Sequence, residues 1–442
     1  MTPAATTEQH DTATRAMPPA LRPGTGDPVG GAVVLTLVHP DFLPPVYALA
    51  SVLADRGYPV DVVSFSSPAA GQAMSMNGVE LHDCGAHAGS ALSRFRARQH
   101  FGRVAADIVR SARPAAILAT CPFSFGVARK LVGAVPMVYL AYELYEAPAR
   151  DVLRSPLTTF RNWRVLRRLD EASLVSTPSP ERSGWLAGHA ALSRLPVTIL
   201  NAPSAALTRA SRARVADVSL SRLVPDRIRQ GVIVLNTGNV GPTQAILELV
   251  DSVAVWPERA RLVITNMQDT AYARVVRARV ASSPRRDDIL LLPLIERQDM
   301  LAIQHSATVG VCLLRETTAP ETRMPAPNKV GEYLHAGLLV VSNRMPYMDR
   351  LAEHGIAVLA DALEPTAIGR AVQTAIERSV ASDTRQAVRT AADTWYSMEW
   401  QARPVLDLLA SHSALSTVTS DPHVPAIHAP ASPSASTRVD RA

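Results

Sequence analysis

Apolar residues in this chain fall into short, valine-rich runs separated by amphipathic stretches. The first, Ala32-Val33-Val34-Leu35-Thr36-Leu37-Val38, ends at His39-Pro40-Asp41 and predicts a strand buried on both faces of a parallel sheet. A helical stripe at Val46, Leu49, Ala50 and Leu53 stops at Gly57, and a second strand, Val60-Asp61-Val62-Val63-Ser64-Phe65, follows. Strand, helix and strand joined by short turns make a βαβ unit. The alternation continues through a basic helix over about 101–111, strands at 115–120, 137–141 and 173–177, and a run at 197–203. Residues 204–230 lose the rhythm and predict a crossover. A second series then begins with the strand Val232-Ile233-Val234-Leu235-Asn236, the turn Gly238-Asn239-Val240-Gly241-Pro242 and a helical stripe at Ile246, Leu249, Val250 and Val253. Strands at 261–265, 289–292, 309–314 and 338–342 complete it.

The pattern predicts an α/β chain of two Rossmann-like domains, and 442 residues are enough for two full cores. The expected boundaries are 31–203 and 231–411, joined by a linker at 204–230. Residues 1–30 and 412–442, rich in Thr, Ser, Ala and Pro, read as a disordered leader and tail. A net charge of +6 is small for this length and gives no nucleic-acid-binding signature. Two local clusters stand out, Arg94-Phe95-Arg96-Ala97-Arg98 and Arg161-Asn162-Trp163-Arg164 with Arg167-Arg168. They fit either a solvated helix face or contact with an anionic ligand or the surface of a membrane. Cys84, Cys121 and Cys312 are far apart and show no paired spacing, which predicts neither a disulfide framework nor a zinc site and suits a reducing, cytoplasmic setting. No apolar run approaches the roughly 18 residues of a membrane span.

Of the 45 cationic residues, 43 are arginine, and the lysines are Lys130 and Lys329. A lysine kept against that bias suits a site that needs a compact ammonium point charge, of which a phosphate oxygen is the usual partner. Lys130, in the plain basic stretch Ala128-Arg129-Lys130-Leu131, reads as solvated helix charge. Lys329 sits in the densest run of special residues, Pro325-Ala326-Pro327-Asn328-Lys329-Val330-Gly331-Glu332-Tyr333-Leu334-His335-Ala336-Gly337. The preceding loop carries Glu316, Glu321 and Arg323, and its prolines limit its motion. Glu332 follows Lys329 by three residues on a helix stopped by Gly337, a spacing that also fits a plain salt bridge. The Gly238–Gly241 turn fits either a phosphate held on backbone amides, at Gly238 and Asn239, or a tight βα turn with no ligand. In open parallel sheets, ligands bind beyond the carboxyl ends of the strands, where all these motifs lie.

The run from Pro327 to Val341 resembles the sugar-nucleotide segment of the retaining family-four glycosyltransferases, in the subset written P-N-K-x-x-E-Y-x-x-x-G-x-P-V-V. Val138-Tyr139-Leu140-Ala141-Tyr142-Glu143-Leu144-Tyr145-Glu146 is similar to the same subset's V-Y-D-A-H-E-L-Y run. Leu294-Ile295-Glu296-Arg297-Gln298-Asp299-Met300-Leu301 is similar to its segment after the base-binding loop. The resemblance spans roughly 32–410 and implies the GT-B fold, with a cleft between two domains. It places Glu332 on the glutamate that binds the ribose hydroxyls, Gly238 on the turn near the donor phosphates, and Glu143 on the amino-domain acid facing the donor or acceptor sugar. Lys329 matches the motif's lysine, and its charge assigns it to the diphosphate, next to Asn328. The chain also departs from the pattern. Met324 occupies the place of a glutamate usually found eight residues before the ribose glutamate, so Glu316 or Glu321 stands in or the role is absent. Gly241, Pro242, Thr243 and Gln244 replace the arginine and lysine after the glycine turn, leaving Lys329 and Arg323 for the diphosphate. Leu140 and Tyr142 replace an aspartate and a histidine.

The expected activity is transfer of a sugar from a nucleoside diphosphate donor to a small-molecule or glycan acceptor, with no cofactor and no metal ion. Two rivals are a sugar-nucleotide epimerase, which turns over without acceptor, and a non-catalytic binding protein of the same fold.

Overall fold

The computed structural model describes residues 30–40, 43–66, 77–133, 135–145, 156–190, 192–215, 220–317, 323–380 and 383–419. The expected leader, most of the expected tail and Glu321 lie outside them.

Two fully parallel sheets organise the chain. The first runs β3-β2-β1-β4-β5-β6-β7, with β1 Ala32–Leu35, β2 Val60–Ser66, β3 Val79–Ala86, β4 Ala116–Ala119, β5 Met137–Leu140, β6 Leu174–Thr177 and β7 Val197–Thr198. The second runs β10-β9-β8-β11-β12-β13, with β8 Val232–Asn236, β9 Ala260–Ile264, β10 Ile289–Leu291, β11 Val309–Cys312, β12 Leu339–Asn343 and β13 Ala357–Ala360. Both are doubly wound, and strand order reverses between β1 and β4 in one and between β8 and β11 in the other. Register there is set by Ala32 opposite both Val60 and Ala116, and by Val309 opposite Val234 and Leu339. The two crevices that α/β sheets offer to ligands therefore open at the carboxyl ends of β1/β4 and β8/β11.

The apolar runs became central strands because both their faces are covered. β1, β4 and β5 are buried along their whole length. Val34, Leu118 and Val138 point to one core, while Val33, Ile117 and Tyr139 point to the other. β3 and β13 were not predicted. β3, Val-Glu-Leu-His-Asp-Cys-Gly-Ala, is a half-exposed edge strand whose polar residues hide it from an apolar-run criterion. β13 is four residues long.

The packing also crosses the expected domain boundaries. Val224 and Ile228, from the expected linker, belong to the core of the second sheet. Met398, Ala402, Val405 and Leu409, read from sequence as part of a 231–411 unit, pack into the core of the first. The closing helices thus return to the amino-terminal half, where Met398 N–H donates to the Pro203 carbonyl (2.9 Å) and the Gln401 carboxamide bridges the Leu200 amide (3.1 Å) and the Trp395 carbonyl (2.7 Å). No described helix is long and apolar enough to cross a membrane, and Cys84, Cys121 and Cys312 are free and buried.

His305 closes the Arg297–Ser306 helix. Burial, and then the charges of Arg212, Arg389, Arg385 and His335, lower its pKa from the ordinary 6.5 to about 4. The unfolded chain therefore binds more protons than the folded one between those values, so stability is lost as pH falls from about 6.5 to about 4. Urea unfolding at pH 7.5 and pH 4.5 should show a lower midpoint at the acid end, and His305→Gln should shrink that difference.

Candidate functional site

The turn after β8 and the loop after β11 meet at the switch point of the second sheet. Gln244 and Leu314 form an antiparallel bridge there, and Arg315 N–H donates to the Thr243 carbonyl (2.8 Å). Gly238 has φ +91°, a left-handed conformation that a side chain strains, and the space where its Cβ would stand is open. Backbone can therefore approach a ligand closely at this point.

The Asn328–Ala336 helix faces that turn. Its N-cap, Pro327, makes no side-chain capping bond, so first-turn amides are left for other partners. Gly337, with φ +82°, ends it. Two contacts fix its placement. The Tyr333 ring lies against Gly310 of β11, where a Cβ would stand 2.4 Å from the ring, and its hydroxyl accepts from the Thr237 amide (2.8 Å) and bonds the Thr237 hydroxyl (3.1 Å). Gly331 packs on the crossing chain, and a Cβ there would stand 2.7 Å from the Asn201 carbonyl.

So placed, the helix directs Lys329 under the glycine turn. Lys329 is 9% exposed, and its Nζ donates to Asn236 Oδ1 and Gln244 Oε1, each at 3.1 Å. Both partners are neutral, and no ion pair to Lys329 is found among the described residues. Burial lowers its pKa, and nearby Cys312 acts in the opposite direction. An ammonium removed from water and held by two amide oxygens is under-compensated. One turn on, Glu332 accepts from Arg297 Nη2 (2.7 Å) and Gln304 Nε2 (2.8 Å). The plain Lys329–Glu332 salt bridge that the spacing also fits does not form, since each side chain has other partners. A carboxylate offers about four acceptor positions, so two donors leave Glu332 room for hydroxyl groups.

The two halves are joined close to this site. Arg182 is buried, and its Nε donates to the Met324 carbonyl (2.6 Å) while its Nη1 donates to the Tyr142 carbonyl (2.7 Å). One guanidinium thereby ties the loop leading into the Asn328–Ala336 helix to the segment that presents Glu143 after β5. Asn201 Nδ2 donates to the Ala326 carbonyl (2.7 Å), and Arg350 pairs with Glu181. Burial pushes the Glu181 pKa up, but hydrogen bonds led by Arg350 outweigh it and leave the pKa below the usual value.

The predicted residues divide into groups. Lys329 meets Asn236 and Gln244, the residues that flank the Gly238–Asn239 turn in the chain, while Asn328 and Glu332 line a small pocket with Arg297, Asn201 and Pro44. Glu143 is exposed, in the segment after β5. Glu316 and Arg323 are exposed and pair with each other (3.4 Å), and Arg315 is taken up by Glu248. Asn236, Gln244, Gln304 and Arg182 were missed by sequence reasoning. The first three are neutral amides with no distinctive spacing, and Arg182 is one arginine among 43.

Tyr333→Phe should leave the Thr237 amide without its buried acceptor and cost about 1–3 kcal/mol, read as a lower urea midpoint at unchanged slope.

No family model matches the chain, and no curated protein matches its sequence. Solved structures do match its architecture. HepE from Anabaena, in complex with UDP and glucose, aligns over 86% of this chain and 99% of its own with 15% identity and a TM-score of 0.63. A glycosyltransferase from Rickettsia africae aligns over 86% and 98% with 11% identity and a TM-score of 0.61. Sucrose-phosphate synthase from Thermosynechococcus elongatus aligns over 86% and 99% with 16% identity and a TM-score of 0.59. At such identities the likeness carries the fold, and the fold is GT-B: two doubly wound α/β domains about a cleft.

Proposed function

We propose that this chain is a retaining glycosyltransferase that moves a sugar from a nucleoside diphosphate donor, uridine-linked, to a hydroxyl or amine of a small-molecule or glycan acceptor. One observation carries the reading: Lys329, a buried ammonium at the carboxyl ends of β8 and β11, is held by two neutral amide oxygens beside an open left-handed glycine turn. A diphosphate supplies the charge this ammonium lacks. The fold is shared with HepE, whose structure contains UDP, and the chain's own motif resembles the sugar-nucleotide segment of family-four transferases.

The chemistry follows from where charge develops. As the glycosidic bond to the donor breaks, negative charge collects on the departing diphosphate. A prearranged, poorly solvated cation stabilises that charge more strongly than one in water. We assign this work to Lys329 with the amides at Gly238 and Asn239 and the first-turn amides at Asn328, and the ribose hydroxyls to Glu332. Glu143, across the cleft, is the acid assigned to the acceptor and the reacting sugar, with the acceptor attacking from the face the diphosphate leaves. Arg323 and Glu316, which pair with each other, belong to the loop that leads into the donor helix. Since the ammonium supplies the compensation, the proposal calls for no divalent ion, and turnover should persist in EDTA.

Calorimetry with UDP tests the donor site. Lys329→Ala should weaken binding at least ten-fold, about 1.4 kcal/mol. Wild-type affinity should fall as pH rises through the window between the lowered pKa of Lys329 and the ordinary 10.5, with proton uptake on binding inside it. UDP affinity unaffected by either change would refute the assignment. A second prediction concerns Arg182, whose bonds cross the cleft. With Arg182→Ala, UDP affinity should stay within about two-fold, since Lys329 and Glu332 belong to the other half, while kcat should fall about ten-fold, or 1.4 kcal/mol. Turnover in the absence of any acceptor would instead identify an epimerase.

A further inference from the structure

The second lysine also lines a cavity. A groove of about 750 Å³ on the amino-terminal half is formed by Phe95, Arg98 and Arg103 from the Ala91–Ala112 helix and by Phe123, Val127 and Lys130 from the Pro122–Leu131 helix, among others. No acidic residue lines it among the described residues. These helices and the Pro156–Leu166 helix cover one face of the first sheet, packing inward through Phe101, Phe125 and Val165. Their outer sides therefore form one surface.

That surface combines two properties. Its charge is mostly one-sided: the three helices carry Arg94, Arg96, Arg98, Arg103, Arg110, Arg129, Lys130, Arg161 and Arg164 against one acid of their own, Asp107, which is paired with Arg110, and Arg129 is paired with Glu171 beyond them. Its apolar residues are large and exposed: Leu92 and Phe95 are each 57% exposed, Phe160 55% and Trp163 45%. The other exposed large hydrophobics among the described residues are aliphatic, so the exposed Phe and Trp side chains concentrate here. Phe160 and Trp163 stack at 5.8 Å, with Arg164 over one ring and Arg167 over the other, and Arg98 lies over Phe123 at 5.5 Å. Arg98 is also close enough to Arg161 to add to the burial that lowers the Arg161 pKa, so like charges are held near one another on this face.

We propose that this face docks on an anionic lipid bilayer, with lipid phosphates on Arg98, Arg103 and Lys130 and with Leu92, Phe95, Phe160 and Trp163 entering the headgroup boundary. Cations interleaved with exposed Trp, Phe and Leu are what such an interface selects, since the rings and aliphatic tips leave water while the guanidiniums stay at headgroup level. A solvated helix face calls for the charges alone and gives no reason for four large apolar side chains to stand in water. The carboxyl ends of the first sheet's strands lie at the starts of these helices, so docking would bring the cleft close to the bilayer.

Cosedimentation of the full chain with vesicles tests this. Phosphatidylcholine vesicles containing an equal part of phosphatidylglycerol should bind it, pure phosphatidylcholine should not, and added salt should weaken binding. The double variant Phe95→Ser, Trp163→Ser changes exposed positions only and should lose at least ten-fold in vesicle affinity while its UDP affinity is retained. Equal binding to neutral vesicles, no binding, or a variant that still binds would overturn the proposal. Displacement by inorganic phosphate beyond a chloride control of equal ionic strength would reassign the groove to a soluble anion. Tighter binding to a single-stranded oligonucleotide than to vesicles would reassign the face to nucleic acid.

Discussion

An ammonium taken out of water has to be compensated by something, and Lys329 is compensated incompletely. Two amide oxygens supply dipoles where a carboxylate would supply a charge. The surrounding structure is arranged to keep it that way. Tyr333 hangs the Asn328–Ala336 helix from Thr237 and rests on Gly310, Gly331 lets the helix approach the crossing chain, and Glu332, the nearest acid in sequence, is occupied by Arg297 and Gln304. Had Glu332 turned to Lys329, the site would be a closed ion pair with little to offer an anion. Separate partners for these two neighbours leave one group poised for phosphate and the other with acceptor positions free for hydroxyls.

The interdomain contacts extend the same arrangement. GT-B domains stand on opposite sides of a cleft, so a donor held by one half must be brought to groups on the other. Arg182 does this through backbone carbonyls, those of Tyr142 and Met324. These are two of the positions at which the chain departs from the transferase pattern it resembles. A carbonyl is supplied by any residue, so the bridge survives whatever side chain stands there. The closing helices reinforce the tie by returning to the first core through Met398 and Val405.

Much of the fold was legible because parallel strands covered on both faces are mostly apolar, and β1, β2, β4, β5, β8, β9 and β11 read that way, with Asp61 of β2 and Arg261 of β9 at partly exposed positions. What was not legible has a physical cause in each case. β3 is an edge strand with one wet side, so its Glu80, His82 and Asp83 mask it. The return of the last helices to the first core depends on which of two apolar faces a helix meets, which periodicity does not specify. In the site, the arginine bias of the chain drew attention to Lys329, and the motif drew attention to Glu332. Asn236 and Gln244 carried no signal, because a neutral amide gains significance from what it faces. Lys130 was read as solvated helix charge, and only the folded chain sets it beside Phe123 and Arg103.

The scarcity of lysine makes the central claim unusually direct to test. With lysine labelled at the side-chain nitrogen with 15N, the NMR spectrum of the full chain contains two side-chain signals, from Lys130 and Lys329. The account predicts that one, assigned by Lys329→Ala, titrates below the ordinary lysine value of 10.5 in the free protein. UDP should shift that signal and raise its pKa while leaving the other in place. UDP that leaves the Lys329 signal and its titration unchanged would contradict the account.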